Sequence, residues 1–353
     1  MSRIVPIPDQ TGGLPVVSAM GTPRAVGTTL GQRLRARLQV AAQILVERHA
    51  ALIDGRLLVE PLRARMAPAL AAISEHGPTL RMELDALAAG AELDIADAAL
   101  VHAGAGVSAM LAQGSPVDQT ACVLLHQRHV AADTATLLFA WQVDPVLLPA
   151  LTLVRRIPSH APASLTLTLG GLHPLAGVSE AGLCVAANPM PVADAAPGLP
   201  IGHLVQAALA APVASDAVAR LAARARMGGA AVHVLGADGA RITTEITGER
   251  SARLDDPRAD APRVHTAHAL ADQLHPVCPI PDPSRLELQR LASLASHAIA
   301  LDPAALAGWF GIGPQAMPVA GWDAARTVVC AIEPARKRMH VVRGAAELAA
   351  IDL

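Results

Sequence analysis

Cys122 is the residue best placed to carry chemistry. It sits in the run DQTACVLLHQRH, at the head of an apolar, strand-like stretch. A cysteine attacks a carbonyl as its thiolate, so it needs a base and an electropositive setting. The plain alternative is a buried structural thiol, since Val123, Leu124 and Leu125 follow it as core residues do. His126 and His129, and His265 and His268, are each spaced H-x-x-H, with His275 nearby. Three residues apart on a strand means opposite faces, so His126 and His129 do not readily share a metal. No carboxylate or thiol stands at ligand spacing, and no metal is expected. GADGAR and AGAG read as turn or helix-packing glycines. Neither has the strand-then-helix G-x-G-x-x-G context of a dinucleotide site, so no cofactor is expected.

The elements that must position Cys122 change character along the chain. From Thr28 to about Met110 the pattern is helical, with Leu30, Leu34, Leu38, Ala41 and Leu45 on one face and arginines on the other. Asp94 is a capping residue for a later helix in this leader. From Ala121 the texture turns to short β-branched or leucine-rich runs bounded by turn residues: ACVLLHQRHV, TATLLFAWQV, LTLVRRI, ASLTLTLGGL and LCVAANPM. HLVQAALAA and SDAVARLAARARMGG are helical, the second capped by Ser215. AAVHVLGADGARITTEI reads as a hairpin around Ala237-Asp238-Gly239, and LDDPRADAPR as a polar loop. SRLELQRLASLASHAIALDPAALAGWF is helical, and RTVVCAIEPARKRMHVVRG is a closing hairpin around Pro334. Two strand groups with helices between and after them predict an α+β fold of packed sheets covered by helices.

Composition narrows the function classes. The chain has 353 residues and a formal net charge of −2, which gives no reason to expect nucleic acid or an acidic membrane surface as partner. With no Tyr, two Phe and three Trp, a stacking platform for bases or sugars is excluded. The four cysteines form no CxxC pair, which favours reduced thiols over a disulfide framework. No signal-peptide pattern opens the sequence and no apolar run reaches a membrane span, so a cytoplasmic location is expected. Homo-oligomerisation is left open.

The order of these features resembles the acyl-CoA:isopenicillin N acyltransferase family, cysteine N-terminal-nucleophile amidohydrolases. The resemblance runs from about Gly21 to Gly344. GTPRAVGTTLG (Gly21, Pro23, Gly27, Gly31) is similar to the family's opening, and ELDALAAGAELDIADAAL to the helix pair before its cleavage site. Cys122 falls where the family's nucleophile falls. VAADTATLLFAWQVD puts Asp144 on the family's acidic residue, and GVSEAGLCVAANPM (Gly177, Ser179, Gly182, Asn188) resembles its G-x-N-x-x-G-x-x-x-x-x-N element. Val264-His265-Thr266-Ala267-His268 is similar to V-H-T-N-H, while SRLELQR from Ser284 and EPARKRMHVVRG match the last two landmarks.

The resemblance implies a four-layer αββα sandwich, with residues 1–121 as a helical leader and 122–353 carrying the nucleophile, together one compact domain. It implies self-cleavage before Cys122, an α-amine serving as base, Asp144 orienting that amine, and Asn188 helping to place the substrate. The activity implied is amide hydrolysis or acyl transfer on a small acylated amine, with an acyl-amide or an acyl donor such as acyl-CoA as partner. Several positions depart from the family. Ala121 replaces a glycine, Val123 and Leu124 replace hydroxyl residues, and Ala267 replaces an asparagine that donates to the oxyanion. Trp141-Gln142-Val143 stands for Gln-Asn-Trp, and GIGPQAMPVAGW holds no arginine. A catalytically degenerate member that keeps the fold for binding is therefore the competing expectation. A third is an enzyme whose uncleaved Cys122 is served by His126 or another base. Loop-capping is the alternative role for Asp144, and a strand-end turn for Asn188.

Overall fold

A computed structural model describes residues 13–51, 59–104, 107, 120–129, 132–222, 225–254, 261–278, 282–296, 303–312, 322–343 and 346–353. The side chains of His126 and His129 lie outside the described residues, as do parts of LDDPRADAPR, AGAG and GIGPQAMPVAGW and the stretch leading to Met110.

Strand β1 (Val16–Gly21) precedes helix α1 (Pro23–Arg33), which starts on the Thr22 cap with proline in its first turn. Then come α2 (Arg35–Ala51), α3 (Val59–His76), α4 (Pro78–Ala91) and α5 (Ile95–Ala103). Asp94 caps α5 as expected, accepting the Ala96 N–H at 2.8 Å. The expected apolar face of α1 and α2 is buried: Leu30, Leu34, Leu38, Ala41 and Leu45 all lie in the main core. Gly27 and Gly31 explain their own spacing. A Cβ on Gly27 would stand 2.1 Å from the Glu83 carbonyl oxygen, and one on Gly31 2.3 Å from that of Leu87. The backbones of α1 and α4 therefore touch, which only glycine permits.

The strand-rich part runs β2 (Thr120–His129), β3 (Ala132–Gln142), a 3-10 turn (Pro145–Ala150), β4 (Leu151–Pro158), β5 (Ser164–Leu169), β6 (Leu172–Ser179) and β7 (Leu183–Met190). The two-residue strands β8 (Leu199–Pro200) and β9 (Arg226–Met227) flank α6 (Ile201–Leu209) and α7 (Ala214–Ala222). Next are β10 (Gly229–Gly236), β11 (Arg241–Ile246), β12 (Ser251–Leu254) and β13 (Arg263–His265). Helices α8 (Asp282–Ser296) and α9 (Pro303–Gly308) precede β14 (Thr327–Glu333), β15 (Arg338–Arg343) and β16 (Ala346–Asp352). Both expected hairpins form, β10–β11 and β14–β15. α7 begins at Ala214, one residue before the Ser215 expected to cap it.

The strands make an eight-stranded sheet, β1-β4-β5-β6-β7-β10-β11-β12, and a six-stranded sheet, β13-β2-β3-β14-β15-β16. β1 is a strand that the helical reading of the leader did not include, and it pairs in parallel with β4. Its residues alternate exposed and buried, as an edge strand with one covered face does. Alternation on β2 divides the core. Ala121, Val123 and Leu125 pack with Leu291 of α8, Leu306 of α9, Phe310 and Trp322. Cys122 and Leu124 point the other way, into the cluster shared with the larger sheet. β2 and β3 lie across from β7 and β10, and the outer face of the larger sheet is covered by α5, α6 and α7. The result is a mixed α+β sandwich, two facing sheets with helices outside them. Among the described residues no helix is long and apolar enough to cross a membrane.

Candidate active site

Cys122 is 1 % exposed and faces the layer between the sheets. Its partner on β3 is Phe139 and its partner on β13 is His265. Directly opposed residues on antiparallel strands present their side chains to the same face. Val264 and Val123, one position along, bear this out by sharing the helix-facing cluster. His265 thus projects beside Cys122 toward the larger sheet. Burial pushes the Cys122 thiol well above its ordinary range, opposed by a hydrogen bond from the Val123 backbone.

His265 meets Glu245 of β11. Its Nε2 lies 2.7 Å from Glu245 Oε1, with both side chains fully buried, and its Nδ1 lies 2.5 Å from the Thr266 carbonyl oxygen. Glu245 also accepts the backbone N–H groups of Leu270 at 2.6 Å and Ala271 at 2.9 Å. Burial by itself raises the Glu245 carboxyl. The hydrogen bond and charge of His265, with the two backbone donors, outweigh it and hold the group below its ordinary value. Both nitrogens of the His265 ring thus stand at hydrogen-bonding distance from an oxygen acceptor, the Glu245 carboxylate on one side and the Thr266 carbonyl on the other.

Histidines flank this pair. The His233 ring stands edge-on at 5.3 Å and the His268 ring tilted at 6.4 Å. Burial drives His233 well below its ordinary range and His268 down to about 4, with the His265 charge pushing both the same way. His268 Nδ1 lies 2.7 Å from the Ser284 hydroxyl, which donates to Thr266 Oγ1 at 3.0 Å. Ala267 brings no side-chain donor between Thr266 and His268.

Asn188 reaches the same place from β7. Its Nδ2 donates to the His265 carbonyl at 3.1 Å, and its Oδ1 is buried with no hydrogen-bond partner among the described residues. The structure therefore gathers Cys122 and Asn188 around His265. Asp144 is placed otherwise. It caps the 3-10 turn, accepting the Val146 N–H at 3.0 Å, and pairs with Arg48 of α2. Among the described residues no hydrogen bond joins Asp144 to Cys122.

No protein-family model matches the chain, and no curated protein matches it. The site stands on its own geometry. Glu245 is the residue that sequence reasoning missed. In RITTEI it alternates with Ile242 and Ile246 and reads as outward-facing. Its signal was only an acid on the same strand face as Arg241 and Thr243, a face that the other sheet buries.

A second group of buried polar atoms lies where β2 begins. Thr120 Oγ1, Trp141 Nε1, His102 Nε2 and His173 Nε2 have no hydrogen-bond partner among the described residues. Thr120 pairs directly with Trp141, whose ring stands 6.2 Å from that of His173. His173 holds φ at 52°, unusual for a residue with a Cβ. Its backbone N–H donates to His102 Nδ1 at 3.3 Å, and its own Nδ1 donates to the His102 carbonyl at 3.2 Å.

Proposed function

We propose that the chain is an amide hydrolase or acyltransferase that acts on a small acylated amine through Cys122. On this reading the paired sheets and their outer helices are the αββα arrangement of N-terminal-nucleophile hydrolases. One observation carries it: Cys122 lies near the start of an inner strand and faces the inter-sheet layer, where Asn188 holds the carbonyl of the opposing residue.

The chemistry runs as follows. Hydrolysis of the Ala121–Cys122 bond frees an α-amine of pKa about 8, which takes the thiol proton. The thiolate attacks the acyl carbonyl, the C–N bond breaks, and the amine leaves with that proton. Water or a second amine then accepts the acyl group from the thioester. Asn188 Oδ1 accepts an N–H from substrate or from the new amine.

Mass measurement of the purified protein tests this. Fragments of about one third and about two thirds of the 36.2 kDa chain, with Cys122 at the new terminus, support self-processing. Acyl-amide turnover lost in Cys122→Ala supports the nucleophile. A protein without any Cys122-dependent turnover sinks the proposal. A second reading, a protein that keeps the fold and only binds, is favoured by the engagement of Asp144 with Arg48 and by Ala267.

A further inference from the structure

Self-cleavage chemistry makes no use of Glu245 and His265, although their side chains meet at 2.7 Å with neither exposed. Withdrawing a carboxylate from water carries a large penalty, and such groups concentrate at functional sites. Position sharpens the point. On an antiparallel ladder, opposed Cα atoms stand about 4.5–5.5 Å apart, so the His265 ring lies within side-chain reach of Cys122. The other ladder partner of Cys122 is Phe139, which cannot move a proton.

We propose that His265, anchored by Glu245, is the acid–base partner of Cys122 in the uncleaved chain, forming a Cys–His–Glu relay. This rests on reading Cys122 as a nucleophile, and it removes the need for an α-amine. Glu245 holds Nε2, so the remaining nitrogen, Nδ1, serves the sulfur. In the described pose Nδ1 donates to the Thr266 carbonyl, and a change in side-chain torsion exchanges that oxygen for Sγ. A ring that has released its Nδ1 proton to solvent takes the proton from Sγ–H. The thiolate then forms the C–S bond to the acyl carbon, the C–N bond breaks, and the leaving amine takes the proton from Nδ1. Water gives a proton to Nδ1 as its oxygen displaces the sulfur, which regains the proton.

The surroundings suit this role. The titratable and charged groups about the ring are Glu245 from β11, His233 from β10 and His268 after β13, with Arg263, Arg285 and His275 further out. His233 and His268 are held neutral by burial, so neither competes as a base nor adds repulsion at neutral pH.

Site-resolved alkylation of the full-length protein with iodoacetamide tests the relay, with Cys330 as internal reference. Cys330 is equally buried, faces the same layer, and its thiol is pushed up to about 12. The Cys122/Cys330 labelling ratio therefore cancels general opening of the fold. At about pH 6.5 this ratio is expected to be about tenfold or more higher in the native protein than in His265→Asn or Glu245→Gln, because a His-paired thiolate persists below the usual thiol range. Glu245→Asp should restore part of it. Cys122 labelling that rises with pH in parallel with Cys330 in the native protein overturns the proposal. So does an equal ratio in the native protein, His265→Asn and Glu245→Gln. A variant that loses its fold labels both cysteines alike, and the native profile then decides alone. The relay and the amidase reading fail separately. A shifted profile without turnover sinks the amidase, while turnover after self-cleavage with an unshifted profile sinks the relay.

Discussion

Cys122 on β2 and His265 on β13 stand directly opposite each other, with the histidine ring locked between Glu245 and the Thr266 carbonyl. A buried pair of this kind is sensitive to losing one member. Removing Glu245 leaves the His265 Nε2 and two backbone donors without their buried partner. Glu245→Ala is expected to lower stability by about 3–5 kcal/mol. Adding His265→Ala to that variant should cost less than the same change in the native protein. Urea unfolding of the four members of the cycle measures the coupling, and strict additivity would contradict a shared network.

Asp144 gives a prediction that separates two roles. As the cap of the 3-10 turn and partner of Arg48, it contributes to stability whatever Cys122 does. Asp144→Ala should lower stability by about 1 kcal/mol. Arg48→Ala should cost less than about 1 kcal/mol, since both side chains are partly solvated. If Asp144→Ala leaves the urea midpoint unchanged yet stops any processing at Cys122, the capping role is displaced by one at the nucleophile.

The helices were legible because Leu30, Leu34 and Leu38 repeat at a period that only a helix turns to one side. The β10–β11 hairpin was legible from Asp238-Gly239, where Gly239 holds φ at 84°. β1 was overlooked because a short alternating run beside a long helical pattern carries little signal. Glu245 was overlooked for a different reason. Alternation marks one face of a strand as polar, but here a second sheet covers that face, and burial there is decided by residues distant in sequence. The meeting of Cys122 with His265 depends on a three-residue strand, below the length at which periodicity speaks. The landmark spacing carried no indication that the two residues are neighbours.

Gly27 and Gly31 make the α1–α4 crossing a test of packing. An added methyl at either position meets a carbonyl oxygen of the facing helix, so the helices must separate rather than a side chain turn aside. Gly27→Ala and Gly31→Ala are each expected to cost about 1–3 kcal/mol, despite alanine's better helix propensity. Urea unfolding should show a lower midpoint with an unchanged slope. A midpoint raised by either change would mean that the helices do not touch there.

Buried histidines should govern acid stability, and His173 sets the clearest case. Burial pushes it down from its ordinary 6.5 to about 4, opposed only by its bond to the His102 carbonyl. The unfolded chain binds a proton as pH falls through about 6.5, while the folded chain does so only near 4. The neutral ring's contribution is thus complete above about 6.5 and is lost as pH falls toward 4, amounting to about 3 kcal/mol. Glu245, also held low, adds a loss of the same sign below the ordinary carboxylate range. His173→Asn separates these terms, because asparagine tolerates the positive φ and does not titrate. Urea unfolding at steps from neutral pH down to about 4 should show a steep decline in the native protein and a shallower one in His173→Asn. Parallel declines would place the acid sensitivity elsewhere in the fold.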